Sequence, residues 1–77
     1  MEIIILGTGC AKCKSTFEIV QETVTESQID AKVIKEEDIL EIVKYNIMSL
    51  PAVVVDGEVK IKGYVPSKEE VLKAIKE

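Results

Sequence analysis

A chain of 77 residues holds one compact domain, read here as spanning residues 1–77, and is too short for two. Its net charge of −4, with Lys as the sole cation and no basic tract, excludes the clustered positive surface of a nucleic-acid-binding protein. No stretch approaches a membrane helix, and two cysteines three positions apart cannot form the disulfide framework of a small secreted scaffold.

The elements read in chain order. Ile3-Ile4-Ile5-Leu6 is apolar at every position, which suits a strand covered on both faces. The run is too short for the apolar region of a signal peptide and no basic segment precedes it, so the expected location is the cytoplasm. Gly7-Thr8-Gly9 ends the strand. A helix is predicted from near Cys10, with Cys13, Phe17, Val20 and Val24 on its buried stripe and Glu18, Glu22 and Glu26 on a solvated side.

Ala31 to Lys35 reads as a second strand, exposed at Lys32 and Lys35. Asp38 is placed as the N-cap of a second helix, with Glu41 completing a capping-box pair and Ile39, Val43 and Ile47 forming its buried stripe. Asn46 falls near its end. Ala52-Val53-Val54-Val55 is a second fully apolar strand. Asp56-Gly57 is a two-residue hairpin signal, and on the returning strand Val59 and Ile61 alternate with Glu58, Lys60 and Lys62. Pro66-Ser67 opens a last helix. Ser67 and Glu70 cap it, and Val71, Leu72 and Ile75 give its apolar face.

The predicted fold is α/β, in the order β-α-β-α-β-β-α, with a four-stranded mixed sheet and helices on both faces. The two apolar strands belong at the centre and the two Lys-bearing strands at the edges, where charge discourages stray pairing. The many Lys and Glu with few Asn and Gln resemble a thermophile's composition.

Chemistry concentrates in Gly9-Cys10-Ala11-Lys12-Cys13, between a buried strand and a helix. At the helix edge the Cys10 sulfur would face unpaired backbone N–H groups and the positive end of the macrodipole. Both favour thiolate, and Lys12 and Lys14 add positive charge. Cys10 is therefore the predicted nucleophile. Cys13, about one turn further in, is placed to resolve a mixed disulfide. Two ordinary buried thiols are the plain structural alternative. A closed four-ligand zinc site is beyond one chain, because His and a third Cys are absent. Two chains sharing one metal through four sulfurs remain a second alternative.

Gly9-Cys10-Ala11-Lys12-Cys13, Ser49-Leu50-Pro51-Ala52-Val53, Asp56-Gly57 and Gly63 together resemble the small thioredoxin- and glutaredoxin-like redox proteins of archaea and some bacteria. The resemblance covers essentially the whole chain. It implies a thioredoxin-like fold and a thiol–disulfide oxidoreductase reducing protein disulfides. It also implies that Pro51 is cis and lies against the cysteine pair, leaving the Leu50 backbone to pair with an extended substrate segment. Gly63-Tyr64 occupies the place of a Gly-Gly pair in glutaredoxins, which leaves two readings of Tyr64: a residue lining the substrate groove, or a half-buried packing tyrosine.

The chain also departs from these families. The Trp and Gly-Pro of thioredoxin motifs are replaced by Gly9, Ala11 and Lys12, and the first strand carries no buried acid. The reduction potential therefore does not carry over. The absence of Pro-Tyr in the motif and of Arg points away from glutathione and towards a protein reductase. No organic cofactor is expected, because Gly7-Thr8-Gly9 lacks the later glycine of a dinucleotide loop. The competing resemblance is to heavy-metal-associated copper chaperones, whose G-M-x-C-x-x-C loop also opens a helix and whose thiolates suit Cu(I). Thr8 replaces its methionine, and that family's order is β-α-β-β-α-β. A dimer bridged by an iron–sulfur cluster is a third class. The expectation carried forward is a monomeric oxidoreductase with neither metal nor cofactor.

Overall fold

Two strands without a charged side chain in their paired region settle side by side in the middle of the sheet. The computed structural model describes residues 1–9, 11–47 and 49–76. Its elements are β1 (Glu2–Leu6), α1 (Ala11–Glu26), β2 (Lys32–Glu36), α2 (Ile39–Ile42) continued by a 3-10 turn (Val43–Tyr45), β3 (Ala52–Val55), β4 (Glu58–Lys62) and α3 (Lys68–Lys76). The strand order is β2-β1-β3-β4. β1 runs parallel to β2 and antiparallel to β3, and β3 is antiparallel to β4. The apolar strands are central and the Lys-bearing ones lie at the edges, as their sequences require.

Alternation along the central strands separates two cores. Ile3, Ile5, Val53 and Val55 point to the face covered by α1 and α3, where they pack with Val20, Val24, Val71 and Ile75. Leu6, Ala52 and Val54 point to the other face, covered by Ile42 with Tyr45 and Ile47. The helix α1 buries Cys13, Val20 and Val24 as expected, and also Thr16 and Thr23. Both threonines are tolerated inside because each hydroxyl donates one turn back, Thr16 to the Lys12 carbonyl at 2.9 Å and Thr23 to the Ile19 carbonyl at 2.7 Å.

Three local expectations are corrected. Asp38 does cap α2, accepting from the Leu40 N–H at 3.0 Å, but Glu41 does not complete a capping box. The Asp38 N–H instead donates to the Glu36 carboxylate at 3.2 Å, and Glu41 pairs with Lys44. The stripe Ile39, Val43, Ile47 is not buried as a unit: Ile39 and Val43 are 52% and 53% exposed, Ile47 is half-buried, and Ile42 fills the core instead. A four-residue helix that tightens into a 3-10 turn cannot keep a 3.6-residue stripe in line. On β4, Val59 pairs with Val54 while Ile61 pairs with Val53, so a bulge places an extra residue at Lys60. Val59 therefore serves one core and Ile61 the other, rather than sharing a single dry face.

The hairpin forms at Asp56-Gly57, with φ of 48° and 83°, the left-handed geometry of a tight two-residue turn. Asp56 also ties the turn to β1: its N–H donates to the Glu2 carbonyl at 2.8 Å and its carboxylate accepts from the Glu2 N–H at 2.9 Å. Asn46 ends the 3-10 turn in the left-handed region with φ of 57°. Among the described residues, no helix is long and apolar enough to cross a membrane.

Candidate redox site

The site lies where β1 ends, β3 begins and α1 starts. The Gly7 N–H still bonds the Glu36 carbonyl at 3.0 Å, so the β1–β2 ladder continues to the edge of the cysteine loop. Gly7 follows Ile3 and Ile5 on the α1 face of the sheet. Cys13, the third residue of α1, is 5% exposed and lies directly over it. A methyl group placed on Gly7 would come within 2.7 Å of the Cys13 Cβ and would also meet its Sγ. The missing side chain of Gly7 is the space that Cys13 occupies. The role predicted for Cys10 falls outside the described residues. Ala11, Lys12 and Lys14 are exposed around the first turn of α1, so both lysines stand on its outer side while Cys13 points in.

From the other direction, β3 brings Pro51. The Leu50–Pro51 peptide bond is cis, as the resemblance implied, and Pro51 is fully buried. Leu6 pairs with Ala52, so one further step along the register sets Pro51 level with Gly7, on the face that Cys13 covers. The Pro51 carbonyl accepts from the Gly63 N–H at 2.9 Å, closing the end of the β3–β4 ladder. Gly63 also sits under the Ser49 side chain, whose Cβ would be 3.2 Å from a methyl group there. Leu50 is half-buried beside the second core.

Tyr64 follows Gly63 and is 48% exposed. Its hydroxyl donates to the Glu70 carboxylate at 2.7 Å. The same carboxylate accepts from the Ser67 N–H at 3.1 Å, and the Glu70 N–H donates to the Ser67 hydroxyl at 3.2 Å, which completes the expected cap of α3. The hydrogen bond to Glu70 raises the Tyr64 phenol above its usual range. The bond from Tyr64, then the Ser67 N–H, holds the Glu70 carboxyl below its own.

Of the predicted site residues, the structure thus gathers Cys13, Pro51 and Gly63 at one end of the sheet, with Leu50 and Tyr64 at its margin and Lys12 and Lys14 on the helix above. Sequence reading missed Gly7, which looked like a strand terminator, and the tie from Glu70 to Tyr64, since Glu70 already had a role as a cap. Among the described residues there is no group of three or more His, Cys, Asp or Glu that could hold a metal.

A central strand leading into a helix with a buried cysteine in its first turn, opposed by a buried cis-proline at the start of an antiparallel strand, defines the thioredoxin-like class of α/β proteins. Residues 1–76 match the family model described as a thioredoxin domain. The chain is 43% identical over 75 residues to a thioredoxin of Methanothermobacter thermautotrophicus, covering 97% of each chain. It is 39% identical over 74 residues to a thioredoxin of Methanocaldococcus jannaschii, covering 96% of this chain and 85% of that one. The chain belongs to the thioredoxin family and is a thioredoxin-type thiol–disulfide oxidoreductase acting on disulfides. Its element order also separates it from the β-α-β-β-α-β copper chaperones.

Proposed function

We propose that the chain reduces protein disulfides, with Cys10 as the attacking sulfur and Cys13 as the resolving one. The burial of Cys13 against Gly7 carries this reading. A sulfur enclosed between the helix and the sheet is badly placed to meet a protein substrate first, yet it follows Cys10 by only three positions in the sequence. The Cys10 thiolate attacks one sulfur of the substrate disulfide. A bond forms between Cys10 and that sulfur, the substrate's S–S bond breaks, and the departing thiolate takes up a proton. Cys13 then loses its proton and attacks the Cys10 sulfur. This closes the Cys10–Cys13 disulfide and releases the second substrate thiol. Two electrons pass from the dithiol to the substrate.

Lys12 and Lys14, with the start of α1, favour the Cys10 thiolate. The Leu50 backbone, Pro51, Gly63 and Tyr64 form the margin along which an extended substrate segment lies. A protein reductase returns the two electrons. The chain works as a monomer in the cytoplasm, where a dithiol stays reduced between turnovers, and needs neither metal nor organic cofactor. The test is trapping. Cys13→Ser should accumulate mixed disulfides on Cys10 when given an oxidised protein such as insulin, and Cys10→Ser should form none. Faster alkylation of Cys13 than of Cys10 in the reduced protein at neutral pH would reverse the assignment.

A further inference from the structure

Next to Tyr64 lies a groove of about 360 Å³ between β4 and α3. Its walls are Lys60, Tyr64, Glu70 and Lys73, with Ile61 and Ala74 beneath. The bulge at Lys60 puts that residue out of the ladder at the sheet's edge. There its side chain is only 21% exposed, and its amine pairs, among the described residues, with the Glu58 carboxylate at 3.5 Å. Lys73 makes no ion pair among the described residues. Among the described residues Glu70 is the one acid lining the groove, and each of its oxygens accepts a bond, one from the Tyr64 hydroxyl and one from the Ser67 N–H. The groove therefore sets two amines against one carboxylate over an apolar floor, and that carboxylate is already held by the Tyr64 hydroxyl and the Ser67 N–H.

The position of the groove is as telling as its lining. Gly63 is hydrogen-bonded to Pro51, Tyr64 is the next residue, and Lys60 is three residues before Gly63. Tyr64 thus belongs both to the groove and to the stretch beside Pro51 and Gly63, so an extended segment laid along those two residues would meet the groove at its Tyr64 wall. Tyr64 cannot swing away to block or widen that path without giving up its bond to Glu70.

We propose that this groove is a substrate subsite that takes an acidic side chain of the disulfide protein, a carboxylate received by Lys60 and Lys73 beside the Tyr64 ring. The proposal rests on the reading above that the chain reduces protein disulfides. A chain with net charge −4 gains little from general attraction to an acidic partner, so a preference for acid has to be local. Surface ion pairs are individually weak, so the preference should be modest, roughly three- to fivefold.

The experiment uses the full chain with its reductant and a series of disulfide-linked peptides. One Glu is moved through the four positions on each side of the reducible Cys, each peptide paired with its Gln counterpart. At one position Glu should lower KM by that factor with kcat unchanged, and high salt should erase the gap. Lys60→Gln and Lys73→Gln should each shrink the Glu-to-Gln ratio, and together bring it to one. Lys44→Gln, which removes a lysine paired with Glu41 on the opposite face, should keep the full ratio. No Glu-to-Gln difference at any position, or a difference that survives the double lysine variant, overturns the subsite while leaving disulfide reduction intact. Failure to reduce any peptide or insulin overturns both.

Discussion

At Gly7 the sequence offers one hydrogen atom where any other residue brings a carbon, and the redox site depends on that difference. The candidate site residues stand out in the sequence by type. A C-x-x-C between an apolar strand and a helix, and a proline at the head of a second apolar strand, announce themselves. Gly7 did not, because it reads equally well as a place where a strand stops, and its contact with Cys13 exists only once α1 has folded back over the sheet. Gly7→Ala should force Cys13 outward or push α1 from β1, since the new methyl would sit 2.7 Å from the Cys13 Cβ. Overpacking of this kind costs about 1–3 kcal/mol. Gly9→Ala is the comparison. Among the described residues nothing lies within 4 Å of its new methyl, but its φ of +87° leaves a backbone cost of about 1–2 kcal/mol. Urea denaturation should therefore show both variants weakened. Only Gly7→Ala should also change the alkylation rate of Cys13 in the reduced protein and lengthen the life of mixed disulfides. Equal Cys13 reactivity in the two variants would show that Gly7 is merely a turn residue.

Elements were legible where the period was long enough to be unambiguous. The helix α1 has sixteen residues, and its stripe was read correctly at Cys13, Val20 and Val24, with Phe17 half-buried beside them. In α2 the apolar residues at 39, 43 and 47 looked like a stripe, but the helix lasts one turn, so the pattern had no cylinder to lie on. The bulge in β4 left no mark either, since Val59 and Ile61 two apart look like one face in any strand. The cap of α3 was legible, and its consequence can be titrated. Tyr64, Ser67 and Glu70 form one hydrogen-bonded loop, in which Glu70 accepts as a carboxylate and Tyr64 donates as a neutral phenol. The Glu70 carboxyl is held below its usual range, first by Tyr64. Its contribution is thus full above the unfolded value and is lost as pH falls through the lower folded value. The Tyr64 phenol is raised, first by Glu70, so the bond is complete below the unfolded value and is lost as pH rises through the higher folded one. Tyr64→Phe should therefore be less stable than the parent across neutral pH, with the gap closing at both the acid and the alkaline end. Urea midpoints measured across that range check it, and a gap independent of pH would mean that the ring's packing matters and the hydrogen bond does not. Ser67→Ala removes the hydroxyl that accepts from the Glu70 N–H and should cost α3 about 0.5–2 kcal/mol whatever the charge on Glu70.

At the scale of the molecule, the sheet separates two cores that contribute unequally. The face under α1 and α3 joins two helices and all three of the strands β1, β3 and β4 in one cluster. The other face has a single helical turn and its 3-10 extension over Leu6, Ala52 and Val54. That thin cover leaves Leu40 69% exposed, beside the half-exposed Ile39 and Val43. A domain of this size has about 4–12 kcal/mol of stability in total, at 0.05–0.15 kcal/mol per residue, so the position of a truncation matters more than its chemistry. Ile5 is 1% exposed, lies in the larger core, and pairs with Val53 in the central ladder. Ile5→Ala should cost about 2–5 kcal/mol, enough to bring the fold near its limit. Leu40→Ala removes a comparable volume of hydrocarbon from a side chain that solvent already reaches, and should stay within about 0.5 kcal/mol of the parent. Thermal or urea unfolding of the two variants decides the matter. If Leu40→Ala destabilises as much as Ile5→Ala, the α2 segment in solution closes over the sheet more fully than its exposed apolar side chains indicate.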